Sequence, residues 1–371
     1  MEKMTIACPC LFGLESVLSG EVKRMGGEEV TAMDGRVTFR GDWFMVARAN
    51  LLLRTAERVL VLLGECDVKS FTDLFDGTTA LPWENFIGKN DAFPVKGWSL
   101  KSTLHSVPDC QAIIKKAVAK RLGGVYRQEW LSETGPELQI QFSIHKDRAS
   151  LMIDTSGIGL YKRGYRQNAN SAPIKETLAA GIVDLARVRG DSKVYDPFCG
   201  SGTLLIESAL KALRVPSGIN RKFAGESYGC IPADAWSQAR AEGLGDIQKD
   251  AAFRGYGSDI DPEAISLTEH NRAKIGIGNR IIAKQRDIDD FTIPEAGSIV
   301  LCNPPYGQRM LEVREAEDIY RRMGRVFRPN EGVSYYIIAA HPEFESLFGR
   351  QAAKRRKLYN GMLKCQLYMY F

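Results

Sequence analysis

Long apolar runs are missing from the sequence. No stretch approaches the roughly 18 consecutive apolar residues that cross a bilayer. The start, Met1-Glu-Lys-Met-Thr-Ile6, lacks the charged-then-apolar layout of a secretory signal. No membrane partner is therefore expected, and a soluble, cytoplasmic protein is. Histidine is scarce: four scattered residues among 371 support neither a metal site nor a catalytic dyad. The eight cysteines never fall at the two-residue gap of a zinc or redox pair, since Cys8 and Cys10 stand one residue apart. Reduced, buried thiols and no metal are expected. A strong charge imbalance is absent too. Residues 1–155 carry 19 Lys and Arg against 20 Asp and Glu, so the net +5 lies wholly in the remainder. Such a balance is compatible with a nucleic-acid partner without demanding one.

What is present suffices for two or three domains, each with its own core. The first part reads as α+β: a strand over 4–7, a helix over 13–25 with Leu14, Val17, Leu18 and Val22 on one face, a strand over 36–40 and a helix from Trp43. An extended stretch over 59–65 and a helix over 71–85 follow. A strand over 93–101 leads to a helix over 109–122 capped by Asp109, with Lys115, Lys116, Lys120 and Arg121 opposite its apolar stripe. That basic face is either solvated or an RNA contact. Strands over 137–145 and 148–154 close this part.

Beyond a Gly-, Arg- and Asn-rich loop over 157–172, strands and helices alternate, the signature of a parallel sheet covered on both faces. Pro173 opens a helix. Strands are expected over 193–195, 255–258, 280–285, 298–301 and 333–340, with helices from Gly202, from Asp261-Pro262 and over 316–327 between them. Asn360-Gly361 between two extended runs marks a terminal hairpin, so the last strand runs antiparallel at one edge.

Two segments carry chemistry. The first expected strand of this sheet runs directly into Asp196-Pro197-Phe198-Cys-Gly200-Ser-Gly202-Thr203. Small residues there let the backbone approach a ligand at the carboxyl end of the sheet. Leu205 stands where a dinucleotide fingerprint needs its third glycine, and no Gly-Lys-Ser/Thr follows to make a phosphate loop. Asp259, ending the second strand, suits a ribose diol. Asp287, ending the third, suits an adenine amine, whereas Asp261 reads as a helix cap and Asp289 and Asp290 as solvated charges. The interval from Gly202 to Asp259 exceeds a simple crossover, so residues 214–253 hold an insertion expected to fold over this ligand.

The fourth strand ends in Asn303-Pro304-Pro305-Tyr306, followed by Gly307-Gln308-Arg309. An amine on a conjugated ring is a poor nucleophile because its lone pair is delocalised. The Asn303 side-chain oxygen and the Pro304 carbonyl can accept its two hydrogens and turn that lone pair outward. The prolines stiffen the acceptors, and Tyr306 offers a face for stacking a base. In isolation the tetrapeptide could also be a strand-ending turn.

The loop resembles the first motif of class I methyltransferases, whose cofactor is S-adenosyl-L-methionine. With Gly64-Glu-Cys66, Asp154-Thr-Ser-Gly157, Arg163-Gly-Tyr165-Arg166, Ala172-Pro-Ile-Lys175-Glu176, Gly257-Ser-Asp-Ile-Asp261 and Leu358-Tyr-Asn-Gly361, nearly the whole chain resembles the THUMP-domain RNA methyltransferases that act on guanine N2. The likeness is strongest to the first half of the 23S ribosomal RNA enzyme. It implies a ferredoxin-like domain over 1–65, a THUMP RNA-binding domain over 66–155 and, over 156–371, a Rossmann-like α/β methyltransferase domain with a seven-stranded sheet. It also implies structured RNA as partner, ribosomal rather than transfer RNA, and places Lys175 and Glu176 beside the cofactor. The sequence ends after one methyltransferase domain where the ribosomal enzyme has two, which keeps transfer RNA open, and adenine N6 stays open as the target because its methyltransferases share the Asn303-Pro-Pro-Tyr306 tetrapeptide. Arg163, Tyr165, Arg166 and Arg309 are candidate RNA contacts. The first three could instead pin the interdomain loop by hydrogen bonds.

Overall fold

Alternation at period two marks some of the N-terminal strands, as in Ile140, Phe142 and Ile144, buried between less buried neighbours. The computed structural model describes residues 3–166, 174–307, 310–328 and 332–371. Its first elements are β1 (Met4–Pro9), α1 (Glu15–Arg24), β2 (Glu28–Met33), β3 (Arg36–Gly41), α2 (Trp43–Leu52), β4 (Leu60–Asp67), α3 (Phe71–Ala80), β5 (Val95–Leu100), α4 (Val107–Tyr126), β6 (Ile140–His145) and β7 (Arg148–Asp154). They form one seven-stranded sheet in the order β2-β3-β1-β4-β7-β6-β5. Because β4 pairs with both β1 and β7, the ferredoxin-like and THUMP parts share a continuous sheet.

Two local expectations need correction. β2 escapes sequence reading because nearly all of Glu28–Met33 is exposed and shows no alternation. α4 starts at Val107 behind Ser106, with Pro108 in its first turn, so Asp109 is an acidic first-turn residue and not the cap.

The remaining elements are α5 (Glu176–Leu185), β8 (Lys193–Asp196), α6 (Thr203–Ala212), α7 (Ala233–Gly245), β9 (Arg254–Asp259), α8 (Pro262–Ile275), β10 (Ile281–Gln285), β11 (Ile299–Cys302), α9 (Met310–Val326), β12 (Ser334–Ala339), α10 (Phe344–Phe348), β13 (Lys354–Asn360) and β14 (Leu363–Tyr370). The second sheet has the order β10-β9-β8-β11-β12-β14-β13. It is parallel except for β14, which pairs antiparallel with both β12 and β13. Asn360 pairs with Leu363, so the hairpin loop is Gly361-Met362, one residue later than Asn-Gly suggested, with Gly361 at φ +62°. The run Ile-Val-Leu-Cys of β11 is buried on both faces, as a central parallel strand must be. Ile299 and Leu301 join a cluster with Leu178, Ile182, Leu205 and Leu210 of α5 and α6. Val300 and Cys302 join another with Tyr320 and Met323 of α9 and Phe327 just after it.

The chain folds into two compact units that exchange segments. One comprises Met1–Pro9, Ser19–Leu160 and Arg221–Glu242, the other Cys10–Leu18, Tyr161–Asn220 and Gly243–Phe371. The insertion is thereby corrected. Its middle belongs to the N-terminal unit, where the Tyr228 hydroxyl donates to the Asp154 carbonyl (2.7 Å) and the Gly225 N–H to the Thr155 carbonyl (2.9 Å). Phe223 and Trp236 stack at 5.4 Å. In exchange, Leu14 and Val17 join the core of the second unit, where a Cβ on Gly181 of α5 would fall 2.6 Å from Leu14.

Candidate active site

A cavity of about 810 Å³ opens at the carboxyl ends of β8 to β11. Its wall includes Asp196, Pro197, Phe198, Gly200 and Thr203 from the first loop, Asp259 and Asp287 from the next two strand ends, and Asn303 to Gly307. Residues distant in sequence thus converge on one concave surface of ligand size.

The glycine loop takes its shape from left-handed backbone at Gly200 (φ +52°) and Gly202 (φ +79°), which residues with a Cβ adopt only at a cost. The two glycines differ in surroundings. A Cβ on Gly200 would meet no atom within 4 Å, whereas one on Gly202 would fall 2.9 Å from Thr268 Cγ2. Gly200 lines the cavity and Gly202 does not; Gly202 serves close packing on α8. Two buried side chains one turn apart on α8 then fix the loop. Thr268 Oγ1 donates to the Gly200 carbonyl and Asn271 Nδ2 to the Ser201 carbonyl, each at 2.9 Å. Sequence reasoning missed both residues. Their signal was two polar residues at positions 268 and 271, on one helix face, which burial would force to find partners.

Asp196 is buried and accepts the Phe198 N–H at 3.1 Å. Desolvation, opposed by that hydrogen bond and reinforced by the Asp259 charge, pushes its pKa up to about 8. Asp259 Oδ2 accepts the Gly200 N–H (2.9 Å) and Oδ1 the Asp261 N–H (3.1 Å). A carboxylate accepts about four hydrogen bonds, so acceptor capacity remains toward the cavity. Asp261 caps α8 as expected, accepting the Glu263 N–H at 2.8 Å.

Asp287 is less simple than the sequence suggested. Its Oδ1 accepts the Asp289 N–H (2.9 Å) and is paired with Arg322 of α9. Arg322 also holds Asp289 through both oxygens at 3.1 Å, so Asp289 is an ion-pair partner and not a merely solvated charge. Glu312, Glu315, Ala316, Ile319 and Arg322 line the cavity from one face of α9, at the spacing of helical neighbours. The expectation of a helix from Ala316 missed its first turns.

At the fourth strand end the Tyr306 hydroxyl donates to Asn303 Oδ1 at 2.5 Å. The Tyr306 ring is half-buried against the core, and the buried Tyr320 donates to the Pro305 carbonyl at 2.7 Å. Tyr306 therefore orients the amide, a role sequence reasoning had not given it, and Tyr320 tethers the turn. Gly307 (φ +64°) leaves room for α9, since a Cβ there would fall 2.6 Å from the Glu312 carbonyl oxygen.

Other expected site residues lie elsewhere. Lys175 and Glu176 do not line the cavity, although Ile174 does. Glu176 is buried and paired with Arg166 at 2.9 Å; burial, opposed by that arginine, raises its pKa to about 7. The Lys175 ammonium lies 4.9 Å from the Tyr161 ring centroid. Arg163 and Tyr165 are buried and both reach Glu207, at 3.4 and 3.1 Å, while Arg166 also donates to the Ile174 carbonyl. These contacts make the 163–166 segment a pinned loop and not an RNA-facing one. Lys115 is turned inward, bonded to Glu133 at 2.5 Å over the Phe93 ring, and Arg121 pairs with Glu84. Lys116 and Lys120 stay exposed. Arg309, Ala172 and Pro173 lie outside the described residues.

A family model described as RMKL-like, methyltransferase domain matches residues 163–369. The chain belongs to this family. It is an S-adenosylmethionine-dependent methyltransferase. Models of the RlmL ferredoxin-like domain and of the THUMP domain match residues 5–60 and 68–154 of this RMKL-like methyltransferase. It is 41% identical to YpsC of Bacillus subtilis (strain 168), a candidate RNA methyltransferase, over 100% of this chain and 97% of that one. Among solved structures, a possible methylase from Clostridium difficile 630 is 37% identical with a TM-score of 0.96, covering 100% of this chain and 98% of that chain. A predicted N6-adenine-specific DNA methylase from Listeria monocytogenes str. 4b F2365 is 40% identical with a TM-score of 0.94, covering 100% and 97%. The candidate methyltransferase SMU.472, solved with S-adenosylhomocysteine, is 36% identical with a TM-score of 0.94, covering 100% and 98%.

The cavity fits S-adenosylmethionine by its own chemistry. The open direction at Gly200 lets a ligand approach the loop backbone, and the Asp259 carboxylate retains acceptor capacity for a diol.

Proposed function

We propose that this methyltransferase modifies the exocyclic N2 amine of a guanine in structured RNA, with 23S ribosomal RNA favoured over transfer RNA. The observation that carries the reading is the Asn303 amide, oriented by the Tyr306 hydroxyl on the wall of the cavity. When bound, S-adenosylmethionine supplies a methyl group on a sulfonium, reactive enough to need no strong base. The proposed holders are Asp196, Pro197, Phe198, Gly200 and Thr203 around the methionine part, Asp259 at the ribose and Asp287 at the adenine.

An amide oxygen has two acceptor directions. With one taken by Tyr306, the other accepts an amine hydrogen, and the Pro304 carbonyl accepts the second. The amine lone pair is then turned out of conjugation toward the cavity, a prepositioning that Tyr320 and the two prolines keep rigid. The amine proton leaves to solvent after transfer. The THUMP match and the likeness to a candidate RNA methyltransferase support RNA, and the resemblance to the ribosomal enzyme supports ribosomal RNA.

Asn303→Ala should lower single-turnover transfer by about 100-fold or more while S-adenosylhomocysteine affinity by calorimetry stays within about twofold. Transfer at the wild-type rate would remove the amide from the mechanism.

A further inference from the structure

On β10, Ile282, Lys284 and the following Arg286 recur at period two and share one face of the sheet. The opposite face is core, for Ile281 is fully buried while Ile282 is 44% exposed. Register extends the exposed face across two more strands: Ile282 pairs with Tyr256, and Tyr256 with Tyr195. The two tyrosine rings stack with centroids 4.8 Å apart. A crossover between parallel strands ordinarily lays a helix over such a face. The connection from β10 to β11 instead holds only the 3-10 turn Ile288–Asp290, with Phe291 and Pro294 forming a wall.

The result is a second cavity of about 350 Å³ with an aromatic row and a cationic row. Lys284 and Arg286 are both exposed, and neither forms an ion pair among the described residues. Glu295, close in sequence to Pro294, is already paired with Lys193 at 2.5 Å. Asp196, Pro197 and Arg286 line this cavity and the larger one alike, so the two adjoin.

We propose that this face is a subsite for a single-stranded nucleotide flanking the target guanine, with its base against Tyr195 and Tyr256 and its phosphate at Lys284 and Arg286. Stacking platforms beside fixed cations are what unpaired nucleic acid needs, and an acidic peptide would have no use for the rings. The inference rests on the RNA reading above.

The test is fluorescence anisotropy of the full-length protein with a labelled 12-nucleotide RNA of mixed sequence at fixed salt. Lys284→Glu and Tyr256→Ala should each weaken binding by about five- to tenfold. Tyr256→Phe should keep wild-type affinity, and S-adenosylhomocysteine binding by calorimetry should be unchanged in all three. Unchanged RNA affinity in both Lys284→Glu and Tyr256→Ala would overturn the subsite alone. A wild-type protein that fails to bind the RNA, or that releases it to an acidic peptide competitor, would overturn the RNA reading together with the subsite.

Discussion

Replacing the two glycines of the loop proposed to hold the cofactor one at a time separates folding from binding. Both have positive φ, at which an added Cβ costs about 1–2 kcal/mol. At Gly202 the Cβ also falls 2.9 Å from Thr268 Cγ2 and 3.0 Å from its Oγ1. Thr268 is fully buried, so relieving the clash costs about 1–3 kcal/mol more and disturbs its bond to the Gly200 carbonyl. At Gly200 the added Cβ meets no protein atom, and only the backbone cost applies. Gly202→Ala should therefore lower stability by about 2–5 kcal/mol, and Gly200→Ala by only about 1–2 kcal/mol. Affinity for S-adenosylhomocysteine should fall the other way, with the folded Gly200→Ala protein losing about tenfold or more because the methyl stands in the ligand's approach. Urea titration and calorimetry read the two quantities. Gly200→Ala binding as tightly as wild type would refute the placement of the cofactor against this loop.

Three further outcomes follow from the same geometry. Asp196 has its folded pKa raised from 3.8 to about 8, so the folded state holds a proton that the unfolded state has lost, and stability falls as pH rises from about 4 to about 8. Each pH unit across that window is worth about 1.4 kcal/mol at most, so the apparent melting temperature of Asp196→Asn should be less pH-dependent than wild type between pH 6 and 8. Thr268→Val with Asn271→Leu strips two carbonyls of their donors. About 1 kcal/mol of stability should be lost at each, with KM for S-adenosylmethionine raised more than kcat is lowered and Thr268→Ser retaining most of the wild-type behaviour. Arg322→Ala unties Asp287 and Asp289 and should weaken S-adenosylhomocysteine binding several-fold, read by calorimetry, while transfer at saturating cofactor stays near wild type.

The parallel half of the fold was legible because its signals are local. Asp261-Pro262 caps a helix, Ile-Val-Leu-Cys is a central strand, and the terminal hairpin sets the antiparallel edge. Both motif loops stand where strand ends put them. What stayed hidden was whatever depends on a partner far along the chain. Nothing in Thr268 or Asn271 says which carbonyl each will meet, and nothing in Arg322 says that it binds Asp287 and Asp289. The cationic look of Arg163 and Lys115 was equally uninformative, because burial against Glu207 and contact with Glu133 are tertiary facts. The insertion was recognised by its length, but its destination depended on Tyr228 finding the Asp154 carbonyl.

The central claim is most directly tested by identifying the methylated atom. Purified protein would be incubated with isotopically labelled S-adenosylmethionine and total RNA from cells lacking the gene. The RNA would then be digested to nucleosides and resolved by mass spectrometry. The account predicts label in N2-methylguanosine, abolished by Asn303→Ala and carried by the 23S fraction. Label in N6-methyladenosine, or in protein and not in RNA, would contradict it.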